Sequence, residues 1–122
     1  MKRKCAVAFC TDQGQRFFGP GPCRLLRGVE ALGSLRAAAG QMGMAYTKAL
    51  GLIQRAEAGF GFPLIRRKTG GRGGGGSVLT PAAKELLTRY DAYEAACCEQ
   101  AESLYRLHFS TFRPQEPAAD RG

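Results

Sequence analysis

Pro63-Leu64-Ile65-Arg66-Arg67-Lys68-Thr69-Gly70-Gly71-Arg72-Gly73-Gly74-Gly75-Gly76-Ser77-Val78-Leu79-Thr80 is the stretch on which the reading of this chain turns. Residues 63–69 read as a strand with a basic cluster, 70–76 as a glycine-rich loop and 77–80 as a returning strand. Strand alternation sends Arg67 to the face opposite Arg66 and Lys68. The tip holds no bulky side chain that would collide with a sugar-phosphate backbone. Arg72 and the backbone N–H groups around Gly73 can therefore approach a groove or a phosphate. Residues 71–76 also satisfy GxGxxG, but a dinucleotide site needs a helix to begin on the glycines, and here a strand, Val78-Leu79, follows. No GK[ST] is present, so a P-loop is excluded.

Working upstream, Tyr46, Ala49, Leu50, Ile53 and Glu57 recur at helical spacing, and Gly59, Gly61 and Pro63 close the run. Its outer face carries Thr47, Lys48, Gly51, Gln54 and Arg55. Before it, Ser34 is a good N-cap for a short helix with Leu35, Ala38, Ala39 and Met42 on one side, stopped by Gly43. Small side chains that allow close crossing, a glycine turn and a third helix with a polar, basic outer face outline a helix-turn-helix. A first helix of about 11 residues is expected from Cys23 to Gly33, after a break at Gly19-Pro20-Gly21-Pro22. Residues 3–9 and 15–18, joined by Thr11-Asp12-Gln13-Gly14, read as an N-terminal hairpin. A basic β-hairpin directly after a helix-turn-helix makes a winged helix.

Downstream, Thr80-Pro81 opens a helix with the N-cap and first-turn proline in the favoured order. Leu86, Tyr90, Tyr93, Cys97, Leu104 and Leu107 step by three and four, with Gln100 the one polar interruption. The run reaches about residue 110, roughly 45 Å at 1.5 Å per residue, more than a three-helix core can cover. Those six residues are assigned to a dimerisation seam. The expected organisation is a winged helix-turn-helix DNA-binding domain over residues 1–80, a long dimerisation helix over 81–110 and a flexible tail over 111–122.

Charge supports that division. The chain has 122 residues and a net charge of +8. Residues 1–76 hold 13 Lys and Arg against 3 Asp and Glu, whereas residues 77–122 hold 5 against 7. A head of +10 suits a polyanion, and a tail of −2 suits another task. Arg66, Arg67, Lys68 and Arg72 are candidates for phosphate or minor-groove contact, Lys48 and Tyr46 with Thr47 for base edges, and Arg55 for phosphate.

Enzymatic chemistry is not expected: one histidine, His108, stands far from any nucleophile or paired carboxylate. Five cysteines, Cys5, Cys10, Cys23, Cys97 and Cys98, include no CxxC pair, so neither a metal site nor a disulfide scaffold is read. Reduced thiols in a cytoplasmic protein are the main expectation; a redox-sensing pair, best placed at Cys5 and Cys10, is the lesser one. The apolar run after Met1-Lys2-Arg3-Lys4 is too short for a signal peptide, and no stretch spans a bilayer. No cofactor is expected.

Gly33-Ser34-Leu35-Arg36-Ala37-Ala38-Ala39-Gly40-Gln41-Met42-Gly43-Met44-Ala45-Tyr46, and above all residues 69–80, resemble the N-terminal domain of the ModE-type molybdate-responsive transcriptional regulators. Phe18-Gly19-Pro20-Gly21, Arg24-Leu25-Leu26 and Leu86-Leu87 with Tyr90 also match, so the likeness covers residues 3–110. The chain is more distantly similar to LysR-type regulators. The resemblance implies a homodimer joined through the last helix, the third helix in a major groove and the wing on the flanking backbone. It also implies a recognition helix opening on Ala45-Tyr46-Thr47-Lys48. Here Ala45 replaces the family's small polar residue and the basic side chain has moved to Lys48. The family's oxyanion-binding modules have no counterpart in residues 111–122, so neither an effector domain nor a small-molecule ligand is expected.

The expectation is thus an α+β, mainly α, winged helix-turn-helix with an N-terminal β-hairpin and a long C-terminal helix. It acts on double-stranded DNA as a homodimeric transcriptional regulator. The alternative is a protein-interaction module that uses the long helix and does not bind DNA.

Overall fold

Thr11 organises the N-terminal hairpin. Its hydroxyl accepts from the Gln15 N–H (3.1 Å), and its carbonyl accepts from Gly14 N–H (2.8 Å), turning β1 (Phe9–Cys10) back onto β2 (Arg16–Phe18). The two strands pair antiparallel with Phe9 opposite Phe18. The computed structural model describes residues 4–68 and 76–115. Arg72 and Gly73, with the rest of the expected wing tip, lie outside the described residues, as does most of the expected tail.

Helix α1 (Pro20–Leu32) starts earlier than the expected break at residues 19–22 allowed. Proline at the first helical positions has no N–H to lose and its φ is already helical, so Pro20 and Pro22 begin this helix instead of interrupting it. Helix α2 (Leu35–Gln41) is capped as expected, Ser34 Oγ accepting from Ala37 N–H. The chain then turns through Gly43 at φ +66°, a left-handed conformation that favours glycine, into α3 (Tyr46–Phe60). Gly59 lies inside α3, which ends one residue later at Phe60, with Gly61 as its C-cap.

The wing strands β3 (Ile65–Lys68) and β4 (Gly76–Leu79) pair antiparallel, Arg67 opposite Ser77 and Lys68 opposite Gly76. The Glu57 carboxylate on α3 receives the Leu64 N–H (2.7 Å) and so fixes where β3 departs. Thr80 joins three elements. Its Oγ1 accepts from Ala83 N–H (3.0 Å) to cap α4 (Pro81–Phe109) and donates to the Pro63 carbonyl (2.9 Å); its own N–H reaches the Leu64 carbonyl (3.0 Å).

The core gathers Phe18, Leu25, Leu26 and Val29 with Leu35, Ala38 and Ala39 of α2, and Ala49, Ile53 and Ala56 of α3. Leu64, Leu79, and Ala83, Leu87 and Tyr90 of α4 complete it. The result is a mainly α winged helix-turn-helix with an N-terminal hairpin and a long last helix. At 29 residues α4 is about 43 Å long. Only its first three turns bury side chains in that core.

Candidate nucleic-acid interface

Helix α3 buries Ala49, Ile53 and Ala56, and at 100° per residue this turns Thr47, Gly51 and Gln54 outward. Thr47, Lys48, Gln54 and Arg55 are exposed, as the spacing requires. Ala45 occupies the N-cap and offers no side-chain hydrogen bond to the first turn.

Two basic clusters flank this outward face. On one side Tyr46 meets Arg36, whose guanidinium carbon lies 4.3 Å from the ring centroid, a cation–π contact between α3 and α2. The two residues share a cleft of about 270 Å³ with Ser34, Leu35, Arg67, Gly76 and Ser77. Helix-turn-helix and wing therefore meet in one polar, basic recess. Gly76 makes the junction possible. Ser77 N–H donates to the Gly33 carbonyl (2.8 Å), and a Cβ on Gly76 would stand 2.7 Å from that same oxygen. On the other side Lys48 and Arg55 line a cavity of about 350 Å³ with Arg16 from the hairpin.

The residues singled out by sequence thus fall into separate groups. Ser34, Tyr46 and Arg67 come together; Lys48 and Arg55 pair with Arg16; Thr47 lies between them and Ala45 at the start of the helix. Arg66, Arg67 and Lys68 are all exposed on β3. Arg36 and Arg16 were missed. Arg36 carried a usable signal, being the polar position beside Leu35, Ala38 and Ala39 on the helix next to α3. Arg16 had none beyond the charge count.

The seam expected along α4 divides. Tyr90 is 3% exposed and belongs to the protomer's own core, its ring edge-on to Phe18 (5.2 Å) and its hydroxyl donating to the Val7 carbonyl (2.6 Å). Burial, reinforced by the Glu94 carboxylate, pushes its phenol up to about 12. Leu86 is half-buried against the same core. Tyr90 is turned inward because the hairpin supplies aromatic partners, Phe9 and Phe18, from far upstream. Tyr93, Leu104 and Leu107 are largely exposed, and Cys97 is half-buried.

Among the described residues no His, Cys, Asp and Glu cluster suits a metal ion, and no helix is long and apolar enough to cross a membrane.

The family of bacterial regulatory helix-turn-helix proteins, lysR family, matches residues 23–84. The chain is 31% identical over 100 residues to the molybdenum-pterin-binding protein MopB of Rhodobacter capsulatus, which covers 82% of this chain and 37% of that protein. It is 44% identical over 73 residues to the molybdenum transport protein ModE of Herbaspirillum seropedicae, covering 60% and 25%. It is 34% identical over 79 residues to the DNA-binding transcriptional dual regulator ModE of Escherichia coli K12, covering 65% and 30%. The chain therefore spans about a quarter to two-fifths of the length of these curated relatives.

Proposed function

The chain belongs to the lysR family of bacterial regulatory helix-turn-helix proteins, and from that footing we propose that it is a cytoplasmic transcriptional regulator that binds duplex DNA sequence-specifically as a homodimer. The observation that carries this reading is the single recess in which α2, α3 and both wing strands present Arg36, Tyr46 and Arg67 beside the outward face of α3. A recognition helix enters a major groove N-terminus first, so Tyr46, Thr47 and Lys48 face base edges, with Gln54 about two turns further on. Ser34, Arg36, Arg55, Arg67 and Lys68 serve the backbone, as do Arg72 and Gly73 at the wing tip. Ala45, with no side chain to cap α3, leaves the first N–H groups of that helix available to a phosphate.

The homodimer rests on the exposed flank of α4 that starts at Tyr93 and runs through the distal half. Tyr93, Leu104 and Leu107 are 52, 52 and 71% exposed, an apolar flank that a second copy would cover. Tyr90 has no part in it.

Selection of bound sequences from random duplex DNA tests the reading, the expected product being a palindrome with half-sites one helical turn apart. Binding should weaken steeply with salt, and Arg67→Ala should lower the slope of log K against log salt by about 0.9. A chain with no salt-sensitive retention on DNA that still self-associates would instead be an interaction module working through α4.

A further inference from the structure

The N-terminal segment docks on α4 through every second residue. Cys5, Val7 and Phe9 are half-buried, whereas Lys4, Ala6, Ala8 and Cys10 are exposed, the alternation of an extended chain with one face covered. The covered face is held at three points. Phe9 packs on Tyr90 and Tyr93 with ring centroids 5.9 and 6.2 Å apart; the Val7 carbonyl receives the Tyr90 hydroxyl; the Cys5 carbonyl receives the Cys98 thiol at 3.4 Å. Two cysteines 93 residues apart in sequence therefore meet at the end of this strap.

We propose that Cys5 and Cys98 form a redox-modification site at which a peroxide-class oxidant closes a disulfide between the N-terminal strap and α4. The other thiols are poorly placed. Cys10 stands an odd number of residues from Cys5 and so points to the opposite, exposed side. Cys23 is buried in α1. Cys97 and Cys98 are adjacent on a helix, their side chains about 100° apart. The Cys98 sulfur lies 3.4 Å from the Cys5 carbonyl, and both residues line one cavity; the neighbouring Cys5 side chain, ahead of burial, pushes the Cys98 thiol up from its usual value. A cavity of about 440 Å³ opens beside both residues, walled by Ala101, Tyr105 and His108, and admits a small oxidant.

The Cys98 thiol donates its proton to the Cys5 carbonyl, so Cys98 is assigned the resolving role and Cys5 the attacking one. A Cys5 thiolate displaces hydroxide from hydrogen peroxide and becomes a sulfenic acid. The Cys98 sulfur then displaces the sulfenic hydroxyl, the S–O bond breaks as the S–S bond forms, and the Cys98 proton leaves with that hydroxyl as water. The two thiols together lose two electrons and two protons, and one peroxide is reduced to two waters.

The experiment is to treat the full chain with stoichiometric hydrogen peroxide, then record intact mass, non-reducing peptide maps with fragmentation, and thermal unfolding. The expected result is a monomeric chain lighter by two hydrogens, with the bond located between Cys5 and Cys98. Closing so long a loop raises Tm by roughly 5 °C or more, reversibly with dithiothreitol. Cys5→Ser and Cys98→Ser should each abolish the cross-link and the Tm rise, while Cys10→Ser and Cys97→Ser retain both. The map of the unmutated chain decides the matter if a serine variant is unstable. A bond at Cys10 or Cys97, a cross-link between chains, or addition of oxygen without a cross-link would overturn the proposal.

Discussion

One helix lives in two environments. The first three turns of α4 bury Ala83, Leu87 and Tyr90 among residues from the hairpin, α1 and the wing, whereas its last three turns leave Leu104, Leu107 and Phe109 more than half exposed. The step of three and four residues runs through both halves unchanged. Periodicity reports that a face is apolar; what covers that face is decided by elements elsewhere in the chain. Here the N-terminal strap and hairpin reach Tyr90, Tyr93 and Cys98, and beyond that point Leu104, Leu107 and Phe109 stay more than half exposed.

Truncation in each half separates them most strongly. Leu87→Ala removes a side chain that is 4% exposed and should cost about 2–5 kcal/mol of unfolding free energy in urea titrations. Leu107→Ala, at 71% exposure, should change the stability of a dilute monomer by less than about 0.5 kcal/mol. Its effect should fall on self-association, read by sedimentation across a concentration series. Equal losses of monomer stability in both variants would mean that the distal half is packed within its own protomer after all.

Next in size is a comparison of arginines. Arg36→Ala removes both a charge in the basic recess and the contact that holds the Tyr46 ring. Affinity for the selected DNA should fall roughly tenfold, about 1.4 kcal/mol, at fixed salt. Arg106→Ala, on the distal half of α4 and paired with Glu102 four residues away, should leave DNA affinity unchanged. If both weaken DNA binding alike, the field of the whole molecule is responsible and the recess is not.

What the sequence made legible follows the range of the interactions. The Ser34 and Thr80 caps, the glycine turn at Gly43 and the strand pairing around residues 65–79 are settled within a few residues, and local chemistry predicts them. Residues 19–22 read as a break because glycine and proline punctuate chains in general, yet proline in a first helical turn is favoured, and α1 begins at Pro20. The contacts that escaped are non-local. Tyr90 finds Val7 across 83 residues, Cys98 finds Cys5 across 93, and Arg36 stacks on Tyr46 only once α2 and α3 have crossed. For the recognition helix the outward face was readable from its period alone. The division of its flanks, with Arg16 on one side and Arg36 on the other, was not.

A smaller, pH-dependent effect also belongs to the proximal half. The Tyr90 phenol titrates near 12 in the fold against an ordinary value near 10, because burial disfavours the phenolate. The neutral form is thus favoured by folding, and its contribution is complete below pH 10 and lost as pH rises from 10 through 12. Unfolding free energy should decline over that window in the unmutated chain and more shallowly in Tyr90→Phe. At neutral pH the same variant should cost about 1 kcal/mol, since the Val7 carbonyl loses its donor.

The smallest expected difference concerns ion pairs. Arg27 on α1 and Asp91 on α4 join two elements 64 residues apart, and this hydrogen bond, more than any other influence, pushes the Arg27 guanidinium further up. Yet both side chains are about half exposed, 44 and 54%, so solvent screens the attraction and a large contribution is not expected. A double-mutant cycle with Arg27→Ala and Asp91→Ala should give a coupling of about 0.5 kcal/mol that fades in high salt. Arg106 with Glu102, an i,i+4 pair within one helix, should give about 0.3 kcal/mol. The magnitudes nearly coincide, and denaturant dependence separates them. The Arg27 pair is broken only when α4 leaves the head, so its coupling appears in global unfolding. The Arg106 pair stabilises a largely exposed helical segment, so its coupling should appear in the helicity of distal α4 and be nearly absent from the cooperative transition of the head.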